Sequence, residues 1–128
     1  MNDRLRTLAL KDGRFSPEAY RFLLDGLEHA IRLAGRSQKE GPERHVTGGE
    51  VLAGLVEYAR SSFGPLAAQV WRSWGLTETL DWGRIVFVLV DNELLSRQDD
   101  DRMEDFESDW EFDRLFVEDY EVRLPSQL

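Results

Sequence analysis

The 128-residue chain has no cysteine, which excludes a disulfide framework and any thiolate metal site. Its two histidines, His29 and His45, stand far apart in sequence, so a transition-metal centre is not expected. No apolar run approaches the ~20 residues that cross a bilayer, and residues 1–14 (MNDRLRTLALKDGR) lack the apolar core of a secretory signal. The expected compartment is the cytoplasm. There is no GxxxxGK phosphate loop, no GxSxG nucleophile elbow and no internal repeat. No cofactor is expected from the motifs.

What the chain has in excess is negative charge, and it is unevenly placed. Residues 1–90 carry 12 Lys and Arg against 11 Asp and Glu, whereas residues 91–128 carry 4 Arg against 14 acids. The net charge of −9 therefore belongs to the last third of the chain. Such a balance repels nucleic acid and anionic membranes and suits a basic protein surface. A length of 128 residues predicts one domain with its own core. Residues 1–98 form its helical part and residues 99–128 an acidic-aromatic C-terminal segment, docked at least in part.

Helical signals dominate the first part. Leu5, Leu8 and Ala9 share one side of a short helix over Arg4–Leu10. Ser16-Pro17-Glu18 starts a second, with Ser as N-cap and Pro at the first helical position. Tyr20, Leu23, Leu24, Leu27, Ala30, Ile31 and Ala34 then follow at i, i+3, i+4, i+7 spacing until Gly35. Gly26, inside that helix, costs about 1 kcal/mol against Ala and suggests close packing on another helix. Polar residues 35–44 read as an exposed loop. Thr47-x-x-Glu50 is a capping box opening a helix with Val51, Leu52, Leu55, Val56, Ala59 and Phe63 inside. Gly64-Pro65 closes it and opens another, bearing Leu66, Ala67, Val70, Trp71 and Trp74 before Gly75.

The one long apolar run, Ile85 to Val90, lies in DWGRIVFVLVDNELLSR, residues 81–97. Periodicity alone does not separate a buried strand from a buried helix here. A strand apolar on both faces needs similar neighbours, and no other segment has that composition. A helix, capped by Thr79 with Asp81 in its first turn, is the preferred reading. Beyond Arg97, Asp99 to Asp113 holds nine acids and one Arg, yet Phe106, Trp110, Phe112, Phe116 and Tyr120 recur. Ser108-x-x-Glu111 could start a last helix near residues 109–119, and 94–98 with 102–107 could pair as a small hairpin. The expected fold is mainly α, a compact bundle of four to five helices. A winged-helix-like layout with one small hairpin is the alternative arrangement.

His45-Val46-Thr47-Gly48, Phe63-Gly64-Pro65, Trp74-Gly75 and the run into Leu94-Leu95-Ser96-Arg97 resemble a family of short, uncharacterised bacterial proteins common in planctomycetes and verrucomicrobia. The similarity spans residues 4–113 and includes Asp105-Phe106. The family favours Gln where this chain has Gly49 and Gly where it has Glu93. The second departure shifts the left-handed position expected at a helix end onto Asn92. The resemblance implies a cytoplasmic single-domain protein and carries no activity.

Several constellations invite function. His45 and Thr47, beside Gly48 and Gly49, stand at a helix N-terminus where backbone N–H groups can hold an anion, but Glu50 repels one and the capping box already accounts for Thr47. His29, at i+4 from Asp25, reads as a surface histidine. Asp99-x-Asp101 and Asp109-x-Glu111-x-Asp113 resemble the opening of a calcium loop but lack its Gly at position 6 and its acid at position 12, so no metal is expected. A winged-helix reading leaves Arg60, Arg72 and Arg84 as the bases for nucleic acid, opposed by Asp81, Asp91, Glu93 and Asp99–Asp101. Trp71, Trp74 and Trp82 read as core, while Trp110, set among acids, either folds back or anchors a partner.

The favoured expectation is a non-enzymatic interaction or regulatory protein. Asp99, Asp100, Asp101, Asp105, Phe106, Trp110 and Phe112 would meet a basic partner, the acids steering encounter and the aromatics supplying contact. A nucleic-acid binder or mimic using Arg84, and a small enzyme using tail carboxylates or His45, are the alternatives.

Overall fold

A computed structural model describes residues 3–35, 38, 46–95, 103–108, 110–112 and 114–118. Five α-helices follow in order: α1 (Asp3–Asp12), α2 (Pro17–Leu33), α3 (Gly48–Phe63), α4 (Ala67–Ser73) and α5 (Leu80–Asp91). No strand occurs among the described residues, so the mainly helical bundle expected from the sequence is the fold. The second arm of the expected hairpin is partly outside the described residues, and its described part, Met103–Phe106, is a 3-10 turn.

The ends of the helices follow the side chains that satisfy free backbone groups. Ser16 Oγ accepts from the Glu18 N–H at 3.2 Å, with Pro17 opening α2. Thr47 and Glu50 form the reciprocal capping box of α3, at 3.1 and 2.9 Å. Gly64-Pro65 carries the chain through a 3-10 turn into α4.

The N-terminus of α5 departs from expectation. Thr79 makes no side-chain cap. Asp81 Oδ2 reaches back instead, accepting from the Thr77 N–H at 2.9 Å and the Glu78 N–H at 3.3 Å, while Arg84 pairs with its other oxygen. A carboxylate in the first turn thus holds the turn that leads into α5, satisfying N–H groups that precede the helix.

The other end of α5 corrects a second expectation. Asn92 has φ −105°, and Glu93 takes the left-handed conformation at φ 62°. The Glu93 N–H donates to Val90 O at 3.0 Å and the Leu94 N–H to Leu89 O at 2.8 Å, the two bonds of a Schellman ending. The position follows from the count of residues after the last helical one, whatever side chain stands there.

α2 and α3 make the largest helix–helix contact. A Cβ at Gly26 would collide with the Leu55 side chain. A Cβ at Gly54 would collide with Ala30, lying 2.6 Å from its Cα and 3.0 Å from its backbone N. The tight approach foreseen at Gly26 is therefore two-sided. Gly54 is the stricter member, because backbone cannot move aside as a leucine tip can.

Around this pair the aromatics gather. Trp71 and Trp82 are fully buried, 5.1 Å apart and edge to face, and Phe22 packs against Tyr58, Phe63, Trp71, Trp74 and Trp82. His29 is not the open surface residue expected. It is half-buried, with its ring 5.6 Å from Tyr58 and its Nε2 enclosed without a partner among the described residues.

Tyr20 has no exposed surface, and its hydroxyl donates to Asp12 Oδ2 at 2.9 Å. Burial, then the hydrogen bond to Asp12 and its charge, push the phenol well above its ordinary value of 10.0. A proton held more tightly in the folded state stabilises fully below the unfolded value, and that stabilisation is lost as pH rises beyond it. Between pH ~10 and ~12 unfolding free energy should fall by about 1.4 kcal/mol per pH unit on this account. Denaturant titrations across that range should lose this slope in Tyr20→Phe, and an unchanged slope removes Tyr20 as its cause. Separately, Glu93→Gly should raise stability by about 1 kcal/mol by relieving the left-handed residue, read as a higher denaturation midpoint with unchanged steepness.

Candidate functional site

The acidic segment is built onto the helical body by three phenylalanines. Phe106, Phe112 and Phe116 are 4%, 2% and 0% exposed. Each is held by something the helices had prepared.

Phe106 sits between α3 and α5, where both helices carry glycine. A Cβ on Gly83 would stand 2.9 Å from the Phe106 Cβ, Cγ and Cδ2. One on Gly48 would stand 2.6 Å from Asp105 Cβ and 3.1 Å from Phe106 Cε2. Two missing side chains on two helices thus form a socket for one ring. Thr79, 1% exposed, closes it by donating to Phe106 O at 2.7 Å. Since its hydrogen is used there, Ser108 Oγ supplies the one shared with Thr79 Oγ1 at 2.8 Å. Thr79 does not cap α5 because its own backbone is already helical, at φ −64° and ψ −28°.

Phe112 and Phe116 close on Trp71 edge to face, at 5.1 and 4.9 Å. Arg72 lies 5.9 Å from the Phe112 ring centroid, within cation–π range. The Arg60 guanidinium donates to Leu115 O through Nη2 at 2.8 Å and Nε at 3.3 Å. Of the last helix expected near 109–119, the described residues show a π-helical turn over Arg114–Glu118, with Ser108 Oγ accepting from the Trp110 N–H at 3.2 Å ahead of it.

The residues expected to meet a partner therefore divide. Phe106 and Phe112 are taken up by the chain's own core, because the glycine socket and Trp71 bury them more fully than an exposed strip could. Asp105 and Trp110 remain outside, Trp110 at 41% exposure, with Glu107 and Glu111 also exposed. Asp99, Asp100 and Asp101 lie outside the described residues, as do His45 and Tyr120.

Of the alternative residues, Thr47 is used as the α3 cap, and the first turn of that helix is already faced by Asp105 and Phe106. Arg84 is clasped by Asp81 and lies 3.6 Å from Glu78. Its guanidinium is held further on the charged side by Asp81 first, with both acids contributing. With Arg60 on Leu115 O and Arg72 over Phe112, all three bases expected for nucleic acid have partners within the protein. Among the described residues, no group of three or more His, Asp and Glu is placed to hold a metal ion.

Neither socket glycine is read from the sequence as a packing position: Gly83 is not singled out, and Gly48 enters only beside the α3 cap and in the family motif. The available signal was Gly83 inside the α5 pattern, which propensity disfavours unless something packs there; Gly48, at the first position of α3, carries none.

No helix among the described residues is long and apolar enough to cross a membrane. Neither a protein-family model, nor a curated protein, nor a solved structure matches this chain.

Phe106→Ala should cost about 3–5 kcal/mol and raise amide exchange across 103–118. Gly83→Ala should cost about 1–3 kcal/mol by overfilling the same socket. Urea unfolding checks both, and a neutral Gly83→Ala would show that the socket is not tight.

Proposed function

We propose that the protein is a non-enzymatic, cytoplasmic interaction or regulatory module whose docked acidic segment meets a basic protein surface. The observation that supports this most is the division of labour among the tail aromatics. Phe106, Phe112 and Phe116 fix the segment to the body, while Trp110 is left 41% exposed beside the exposed acids Asp105, Glu107 and Glu111. A tryptophan on a fixed frame loses less conformational freedom on binding than one on a free tail, and it is the residue type that most often anchors an interface. The surrounding carboxylates raise the encounter rate with a basic partner and disfavour acidic ones. Kinship with short uncharacterised bacterial proteins, proposed on the motifs above, is compatible with such a role and adds no activity.

The internal engagement of Arg60, Arg72 and Arg84 makes direct nucleic-acid binding the weaker reading.

The test is affinity capture from lysate with the full chain and with Trp110→Ala, at low and high salt. The expected result is a basic protein retained at low salt, released at high salt, and held at least tenfold more weakly by Trp110→Ala, a loss of about 1.4 kcal/mol. The variant should keep the parent's circular dichroism, since the residue is outside the core. Salt-insensitive capture, or equal capture by the variant, sinks the proposal.

A further inference from the structure

Away from the acidic segment, a cleft of about 340 Å³ lies between α1 and the end of α5. Arg4, Thr7, Leu8 and Lys11, at i, i+3, i+4 and i+7, bring one edge of α1 along it, and Asn92 and Leu94 close the other side. None of these six is an acid, in a chain with 25 acids to 16 Lys and Arg.

The lining has three chemically distinct parts. Leu8 and Leu94 are packed against the core, so the apolar floor is fixed. Arg4 Nη2 donates to Asn92 O at 2.9 Å, which pins a positive charge at one end of the cleft. Lys11, two turns further along α1, supplies a second positive charge at the other end. The two charged positions are about 10 Å apart along the helix axis. The Leu94 wall is held in place by the Schellman ending, through the bond from its N–H to Leu89 O at 2.8 Å.

We infer that this cleft binds a small amphipathic monocarboxylate, with its carboxylate at Lys11 and its hydrocarbon body across Leu8 and Leu94. The volume falls at the lower end of small-ligand sites, which limits the body to a short chain or a single ring. A carboxylate is favoured over a phosphate because the last turn of α1, where Lys11 stands, offers no free backbone N–H groups to share a multiple charge, and Arg4, in the first turn, is already committed to Asn92. The apolar floor disfavours a bare inorganic anion. The site is independent of the acidic segment and of the role proposed for it.

The test uses octanoate, below its micellar concentration, titrated into the isotope-labelled full chain and followed by amide and methyl NMR shifts. Acetate and 1-octanol serve as the head and the tail alone. The expected result is saturable shifts at Thr7, Leu8 and Leu94 with a dissociation constant of about 1 mM or tighter. Acetate and octanol should each bind at least tenfold more weakly. Lys11→Glu should weaken octanoate at least tenfold and Lys11→Arg should keep it, and both variants should fold, because Lys11 is exposed. Shifts that do not saturate or map elsewhere overturn the inference. So does equal binding of acetate, which means charge alone, equal binding of octanol, which means the floor alone, or unchanged affinity in Lys11→Glu.

Discussion

Trp71 stands where every layer of the molecule meets. It has no exposed surface, and its ring is met by Phe22 from α2, Trp82 from α5, and Phe112 and Phe116 from the C-terminal segment. Edge-to-face pairs of this kind contribute about 0.5–1.5 kcal/mol each beyond the area they bury. More important is what they constrain. A large planar group enclosed on several sides fixes the relative positions of the elements that enclose it, because close-packed interiors do not yield by small amounts. The short α4 helix would have little stability alone. It holds its place because Trp71 is gripped from both the body and the tail.

The same packing explains how a chain with a net charge of −9 tolerates an acidic segment against its body. Attraction between charges is not what holds it. Three phenylalanines carry it, assisted by Thr79, Arg60 and Arg72, while Asp105, Glu107 and Glu111 stay in water where their charge costs little. A segment attached through its apolar residues leaves its acids outward, so docking and charge presentation come from one arrangement. That is the physical basis for reading the segment as a presented surface and not as a free tail.

Arg84 and Asp81 show how local needs absorb residues that look functional. Asp81 is nearly buried and accepts from two backbone N–H groups in the turn just before α5, and Arg84 balances it. Truncating Arg84 would leave a poorly solvated charge, and truncating Asp81 would leave unpaired N–H groups in that turn. A base on the helix that a winged-helix layout would set against nucleic acid invites that reading in one dimension. In three it is the counter-ion of the carboxylate that holds the turn before α5.

The sequence by itself determined the helices and most of their limits. Ser16-Pro17, the Thr47–Glu50 capping box, Gly64-Pro65 and the periodic apolar stripes act within a few residues, and local physics suffices to read them. It also determined where the charge lies. Only the tertiary structure decided which tail aromatics face inward. Phe106 and Trp110 both stand among acids in the sequence, and what separates them is a socket formed by Gly48 and Gly83, 35 positions apart on two helices. The absence of a side chain has no periodicity of its own, so its use appears only when two such absences face one another. Thr79, a cap by local rules, has helical backbone angles instead, and its hydroxyl donates to a carbonyl 27 residues away. Likewise Glu93 rather than Asn92 adopted the left-handed turn, because α5 runs on to Asp91 and the turn falls two residues past its last helical residue.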